Sequence, residues 1–224
     1  MCGRFTLTTT WEELKTAFPE FEFILDDQFQ PSYNIAPTQQ ILTAFKSSTF
    51  KVRHMRWGLI PYWSKDPAIG NKLFNARCET IHEKPSFKHA YQKRRCVIFA
   101  TGFYEWKKAE KQKIPYYFSS RNGDNIMFGG IWENWKNPES GEEVQSCAII
   151  TTSANGVVSP VHQRMPVIIP KDASHIWLNC DKPVGKEIKD LLQPIPDTDI
   201  VMHQVSKAVN SAANNHPDCI KKVG

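Results

Sequence analysis

The 224 residues predict an α+β fold, a single domain over 1–224 built on a curved, mainly antiparallel sheet or barrel-like core with flanking short helices. Three observations carry that reading. Short β-branched and aromatic runs recur along the chain, Gly, Pro, Asn and Ser clusters separate them, and helical periodicity is confined to brief stretches. No repeat, low-complexity segment or Pro/Gly-rich linker marks a domain boundary.

An N-terminal strand comes first, then a helix over 10–18. Thr10 stands as its N-cap with Glu13 three residues on, and Trp11, Leu14 and Phe18 recur at helical spacing. Strands are expected over 41–45, 52–57, 96–106, 115–119, 126–132, 146–152, 166–169 and 200–205. Helical patterns occupy 86–93, 172–178 and 184–192, and the last few residues read as a tail.

Composition narrows the function classes. With 41% hydrophobic and 23% charged residues the chain can bury a full core. The net charge of +5 is compatible with a nucleic-acid partner without demanding one. The start lacks the basic and apolar stretches of a signal peptide, and no apolar run approaches the roughly 18 residues of a membrane span, so a cytoplasmic protein is expected. Six cysteines without a CxxC pair exclude zinc-ribbon spacing and a disulfide framework; Cys96 and Cys147, in apolar runs, are expected in buried strands. No cofactor or metal is expected.

Cys2 differs by position. Its small side chain makes Met1 a substrate for methionine aminopeptidase, and the mature chain then begins with an amine and a thiol on adjacent carbons. An aldehyde condenses with that amine to a Schiff base, which the thiol closes into a thiazolidine. Reference pKa values of about 8 and about 8.5 leave both groups a nucleophilic fraction near neutrality. The plainer reading, a small residue ahead of a strand, stays open.

Three other stretches hold functional side chains. Asn75 and Arg77 sit at a loop-to-element junction, where binding groups concentrate, or on a merely solvated loop. Glu105 ends an apolar run among aromatics, where desolvation would suit it to general acid work; a surface strand end is the alternative. His162 lies two residues from Arg164, an imidazole beside a guanidinium as required for proton transfer near a phosphate, or a structural loop histidine. The rings of Trp57, Tyr62 and Trp63, around Pro61, either stack on bases or fill the core.

Six blocks, in order, resemble the signatures of the SRAP family, the SOS-response-associated peptidases or abasic-site processing proteins: residues 1–5 (MCGRF), 33–37 (YNIAP), 57–61 (WGLIP), 75–80 (NARCET), 102–106 (GFYEW) and 162–166 (HQRMP). The resemblance implies a compact bacterial or phage member, a β-rich fold, and a covalent link between Cys2 and an abasic sugar in single-stranded DNA that shields the lesion. It assigns Cys2 as nucleophile, Asn75 as holder of the Cys2 amine, Glu105 as acid opening the deoxyribose, and His162 as proton shuttle. Arg4, Arg77 and Arg164 would grip phosphates, and Trp63 with Tyr62 or Pro61 would wedge beside splayed bases. Asn34, Pro37 and Trp106 complete the DNA-contacting set. Gln163 replaces a residue that is often acidic in relatives. The family further implies a monomer, nucleoid-associated when on DNA, with the replication machinery as a candidate partner.

Two rival functions remain. One is a cysteine peptidase with His162 as base and Glu105 or Asn75 orienting it, although Met1 alone precedes Cys2 and no pro-segment for self-cleavage is expected. The other is a non-covalent reader of single-stranded or modified DNA.

Overall fold

The computed structural model describes residues 2–25, 29–110 and 112–223. Met1, whose removal the sequence reading requires, lies outside them. In chain order the strands and helices are β1 (Phe5–Leu7), α1 (Trp11–Ala17), β2 (Glu22–Phe23), β3 (Ser32–Ile35), β4 (Gln40–Lys46), β5 (Phe50–Trp57), β6 (Asn75–Arg77), α2 (Lys88–Lys93), β7 (Arg95–Ala100), β8 (Gly102–Ala109), β9 (Gln112–Ser120), β10 (Ile126–Lys136), β11 (Glu143–Ser153), β12 (Arg164–Pro166), α3 (Ser174–Leu178), α4 (Lys186–Asp190) and β13 (Ile200–Gln204). Among the described residues no helix is long and apolar enough to cross a membrane.

Five strands close on themselves in the order β11-β10-β7-β4-β5, because β5 pairs antiparallel with β4 and parallel with β11. Closure removes the exposed edges that an open sheet would present. A second sheet, ordered β13-β9-β8-β1-β3, lies against this barrel. Aromatic edges join the two layers: the Phe5 ring meets Trp57 at 5.1 Å and Phe128 at 5.7 Å, and Phe103 meets Phe128 at 6.1 Å. The predicted α+β class with a curved, largely antiparallel, barrel-like core is what forms.

The long apolar run at 96–106 divides into two strands in different sheets. The break falls at Thr101, whose amide donates to Thr6 O at 2.7 Å and whose hydroxyl joins Thr6 Oγ1 at 2.9 Å. Gly102 follows because a Cβ there would sit 2.4 Å from the Phe118 carbonyl oxygen. An unbroken hydrophobic run suits both sheets equally, so nothing in it announces the crossover. Likewise, the strand expected over 166–169 is the shorter β12, with Ile168 only bridging Phe128. The expected C-terminal tail is paired instead: Lys222 bridges Val205, and the Val223 amide donates to Gln204 O at 3.0 Å.

The helices are short and depend on the barrel for support. Thr10 and Glu13 form the capping box of α1. Arg95, 1% exposed, fastens α2 and α3: its guanidinium donates to Tyr91 O (3.0 Å), Trp177 O (2.7 Å) and Asn179 O (2.5 Å) and lies over the Trp177 ring. Replacing Arg95 by Met should leave those buried carbonyls unpartnered and cost about 3 kcal/mol of stability, read as a lower urea midpoint at unchanged slope.

Candidate active site

β1 is an inner strand of the second sheet, next to its edge strand β3, with Phe5 opposite Ile35 on one side and Phe103 on the other. The residues just before it are consequently drawn into the protein, and Cys2 is fully buried. Asn75 holds this segment in place. Its Nδ2 donates to Cys2 O at 2.8 Å, while its Oδ1 is buried with no hydrogen-bond partner among the described residues. Asn75 can do this because the predicted loop junction is a strand: β6 pairs in parallel with β11, with Asn75 opposite Ile149.

Glu105 reaches the same place from β8. It is 4% exposed, and burial raises its carboxyl to about 7. Burial also pushes the Cys2 thiol far above its usual value, and the Glu105 charge adds to that shift. His162 approaches from the turn before β12, its Nδ1 3.9 Å from Glu105 Oε1. That turn is built by Asn155, whose side chain accepts from the Val158 amide and donates to Ile195 O; the His162 amide then donates to Val158 O at 3.0 Å. His162 Nδ1 sits between the Arg164 amide at 3.0 Å and the Arg164 carbonyl oxygen at 3.1 Å, which fixes the ring's orientation. Burial lowers the imidazole's pKa, so the ring is neutral at pH 7.

A cleft of about 410 Å³ opens beside these groups, lined by Glu105, Trp106, Lys108, Lys113, His162 and Asn210. Sequence reading missed both lysines and Asn210. The Lys107-Lys108 pair directly after the 102–106 block was a usable signal for the first. Asn210 had none, since it meets Trp106 Nε1 (2.8 Å) from 104 positions away.

The remaining predicted residues divide between framework and surface. Arg4 donates to Asn34 Oδ1 (2.6 Å) and Val209 O (2.9 Å), and the 1% exposed Asn34 donates in turn to Ser211 O and Asn214 O. The pair therefore ties β1 and β3 to the C-terminal segment. Arg164 makes a two-pronged bond to Glu79, at 2.5 and 2.9 Å, and donates to Thr151 O. Arg77 is exposed, and among the described residues no ion pair involves it. Pro61 is buried and Pro37 half-buried, next to Thr38 at φ 78°. Of the aromatic residues in the 57–63 segment, Trp57 is core, whereas Tyr62 and Trp63 stand 54% and 49% exposed. Their loop is braced by the Trp135 Nε1 bond to Ser64 O (2.6 Å) and by Tyr62 against His89.

This barrel with a stacked second sheet is shared with a crystal structure of a protein from Bacteroides thetaiotaomicron, 26% identical, at a TM-score of 0.86 over 99% of this chain and 100% of that one. The chain belongs to the SRAP (SOS response associated peptidase) family, whose model matches residues 1–212. It is 41% identical to the abasic site processing protein YoqW of Bacillus subtilis, over 99% of both chains. Against the abasic site processing protein HMCES of Xenopus tropicalis it is 30% identical, over all of this chain and 78% of that one.

Glu105 also makes stability depend on pH. Its folded pKa of about 7 lies above its ordinary 4.5, so the folded state keeps a proton that the unfolded chain releases, and this stabilisation is lost as pH rises through about 7. Urea unfolding at pH 5, 7 and 9 should show the parent losing stability relative to Glu105→Gln across that interval. Parallel curves would contradict the raised value.

Proposed function

We propose that the protein senses abasic sites in single-stranded DNA and captures them covalently through Cys2 after Met1 is removed, shielding the lesion during the DNA-damage response. The names of its relatives, abasic site processing proteins, support that class of lesion. The observation that carries the reading is the convergence of Asn75, Glu105 and His162, from three separate elements, on a buried Cys2.

The chemistry follows from those groups. An abasic sugar is a closed hemiacetal; Glu105, protonated below about pH 7, gives its proton to the ring oxygen and favours the open aldehyde. The Cys2 amine attacks C1′ and water leaves, giving the imine. The thiol then adds across C=N, sulfur bonding to C1′ and its proton passing to nitrogen, with His162 moving protons between steps. One water is lost overall. The unpartnered Asn75 Oδ1 is an acceptor for the Cys2 amine, and Nδ2 already holds the Cys2 carbonyl. The imine also permits β-elimination of the 3′ phosphate, a weak lyase activity.

The raised thiol pKa favours this order over peptidase chemistry. A cysteine peptidase needs a thiolate in the resting state, whereas here burial and Glu105 both keep sulfur protonated. Addition of S–H to an imine has no such need. Exposed Trp63 and Tyr62 would stack on bases beside the lesion, and Arg77 would meet phosphate.

The decisive measurement is a denaturing gel of protein whose Met1 loss is confirmed by mass, mixed with single-stranded oligonucleotides with and without one abasic site. A heat-resistant shifted band is expected with the abasic strand only, and none with Cys2→Ala. Absence of any band in the processed parent would rule out covalent capture. The capture rate should fall above about pH 7 with loss of the Glu105 proton, and Glu105→Gln should be slower without that alkaline decline. Trp63→Ala should weaken single-strand binding about tenfold, measured by fluorescence anisotropy.

A further inference from the structure

The chemistry above uses one end of the cleft and leaves a basic rim unexplained. Lys108 of β8 and Lys113 of β9 stand directly opposite each other in the hairpin register, and both line the cleft with Glu105, Trp106 and His162. Both are exposed, and among the described residues neither joins an ion pair. Like charges directly across an antiparallel pair repel. An anion between them would turn that repulsion into binding.

The surroundings strengthen the positive field. Lys207 Nζ donates to Gln112 Oε1 at 2.6 Å, bringing a third ammonium to the hairpin end, where the one acidic neighbour in the turn is the exposed Glu110. Lys108 is close enough to His162 to add, after burial, to the lowering of its pKa. Lys108 lies three positions beyond Glu105 along β8, about 10 Å at roughly 3.3 Å per residue. Trp106 lies between them, with its indole N–H held by Asn210. The cleft thus runs from a group that would open a sugar, past an aromatic side chain, to paired cations.

We propose that Lys108 and Lys113 clamp a backbone phosphodiester flanking the reacting sugar and so deliver its C1′ to Cys2. The assignment rests on the capture reading and adds its phosphate-binding subsite. Lysine suits the role because its ammonium is a point charge on a flexible stem, able to approach either phosphate oxygen. The remaining arginines of the sequence reading serve less well. Arg4 and Arg164 are committed to Asn34, Val209 and Glu79, so the hairpin lysines supply uncommitted charge beside the cleft.

The test compares parent, K108Q/K113Q and K108R/K113R, all with Met1 removed, on two single-stranded abasic oligonucleotides. One is ordinary, and in the other the phosphodiesters flanking the lesion are uncharged methylphosphonates. On the ordinary strand at low protein concentration, K108Q/K113Q should capture about tenfold more slowly than the parent, and the arginine pair should recover most of the rate. On the methylphosphonate strand the parent should lose a similar factor and K108Q/K113Q should lose little more. Equal rates for parent and K108Q/K113Q on the ordinary strand would overturn the clamp. So would an undiminished lysine effect on the methylphosphonate strand, because the charges would then act elsewhere. A parent that forms no adduct with either strand would instead overturn the capture reading itself.

Discussion

The pairing of β1 between β3 and β8 is the constraint on which the rest of the molecule depends. A strand that begins at Phe5 and is paired on both sides holds the residues just before it against the protein, Gly3 and Arg4 half-buried and Cys2 fully buried. The Asn75 amide meets the Cys2 carbonyl there, and Glu105 is near enough to act on the thiol. Phe5 anchors the strand against Trp57 and Phe128 of the barrel, and Arg4 ties its start to Asn34 and Val209. A segment exposed on the surface would have neither the fixed position nor the low-dielectric surroundings that set the protonation of Cys2 and Glu105.

Those surroundings push the carboxyl and the thiol toward the same behaviour. Desolvation disfavours charge on any group, so it raises the carboxyl and the thiol and lowers the imidazole. The outcome near neutrality is a site with a carboxyl poised to give up a proton, a neutral imidazole and a protonated thiol. That combination suits addition to a carbonyl and its imine better than attack by a resting thiolate. The barrel contributes rigidity: β6 is added to β11 in parallel, which fixes Asn75, and the Asn155-capped turn fixes His162.

The fold holds the arginines in different ways. Arg4 and Arg164 hold the framework around the site, whereas exposed cationic surface is offered by Arg77 and by the β8–β9 hairpin. A guanidinium in a motif reads the same on the page whether it faces a phosphate or a backbone carbonyl. Asn34 illustrates this, since its block carries the family resemblance while its amide is spent on Val209, Ser211 and Asn214.

Local chemistry was legible from the sequence by itself. Short β-branched and aromatic runs between turn residues gave the β-rich α+β class, Thr10 and Glu13 gave the first helix, and six ordered motifs gave the family and singled out Cys2, Asn75, Glu105 and His162 as candidates. These are properties of neighbouring residues, and neighbours carry them wherever the chain goes. Tertiary structure alone decided what depends on distant partners. Barrel closure through β5 and β11, the change of sheets at Thr101, the parallel strand at Asn75 and the pairing of Lys222 with Val205 are all long-range hydrogen-bond choices. The same holds for protonation, because a pKa is set by what is packed around a group. Glu105 becomes an acid near neutrality only when β8 and the elements around it take it out of water.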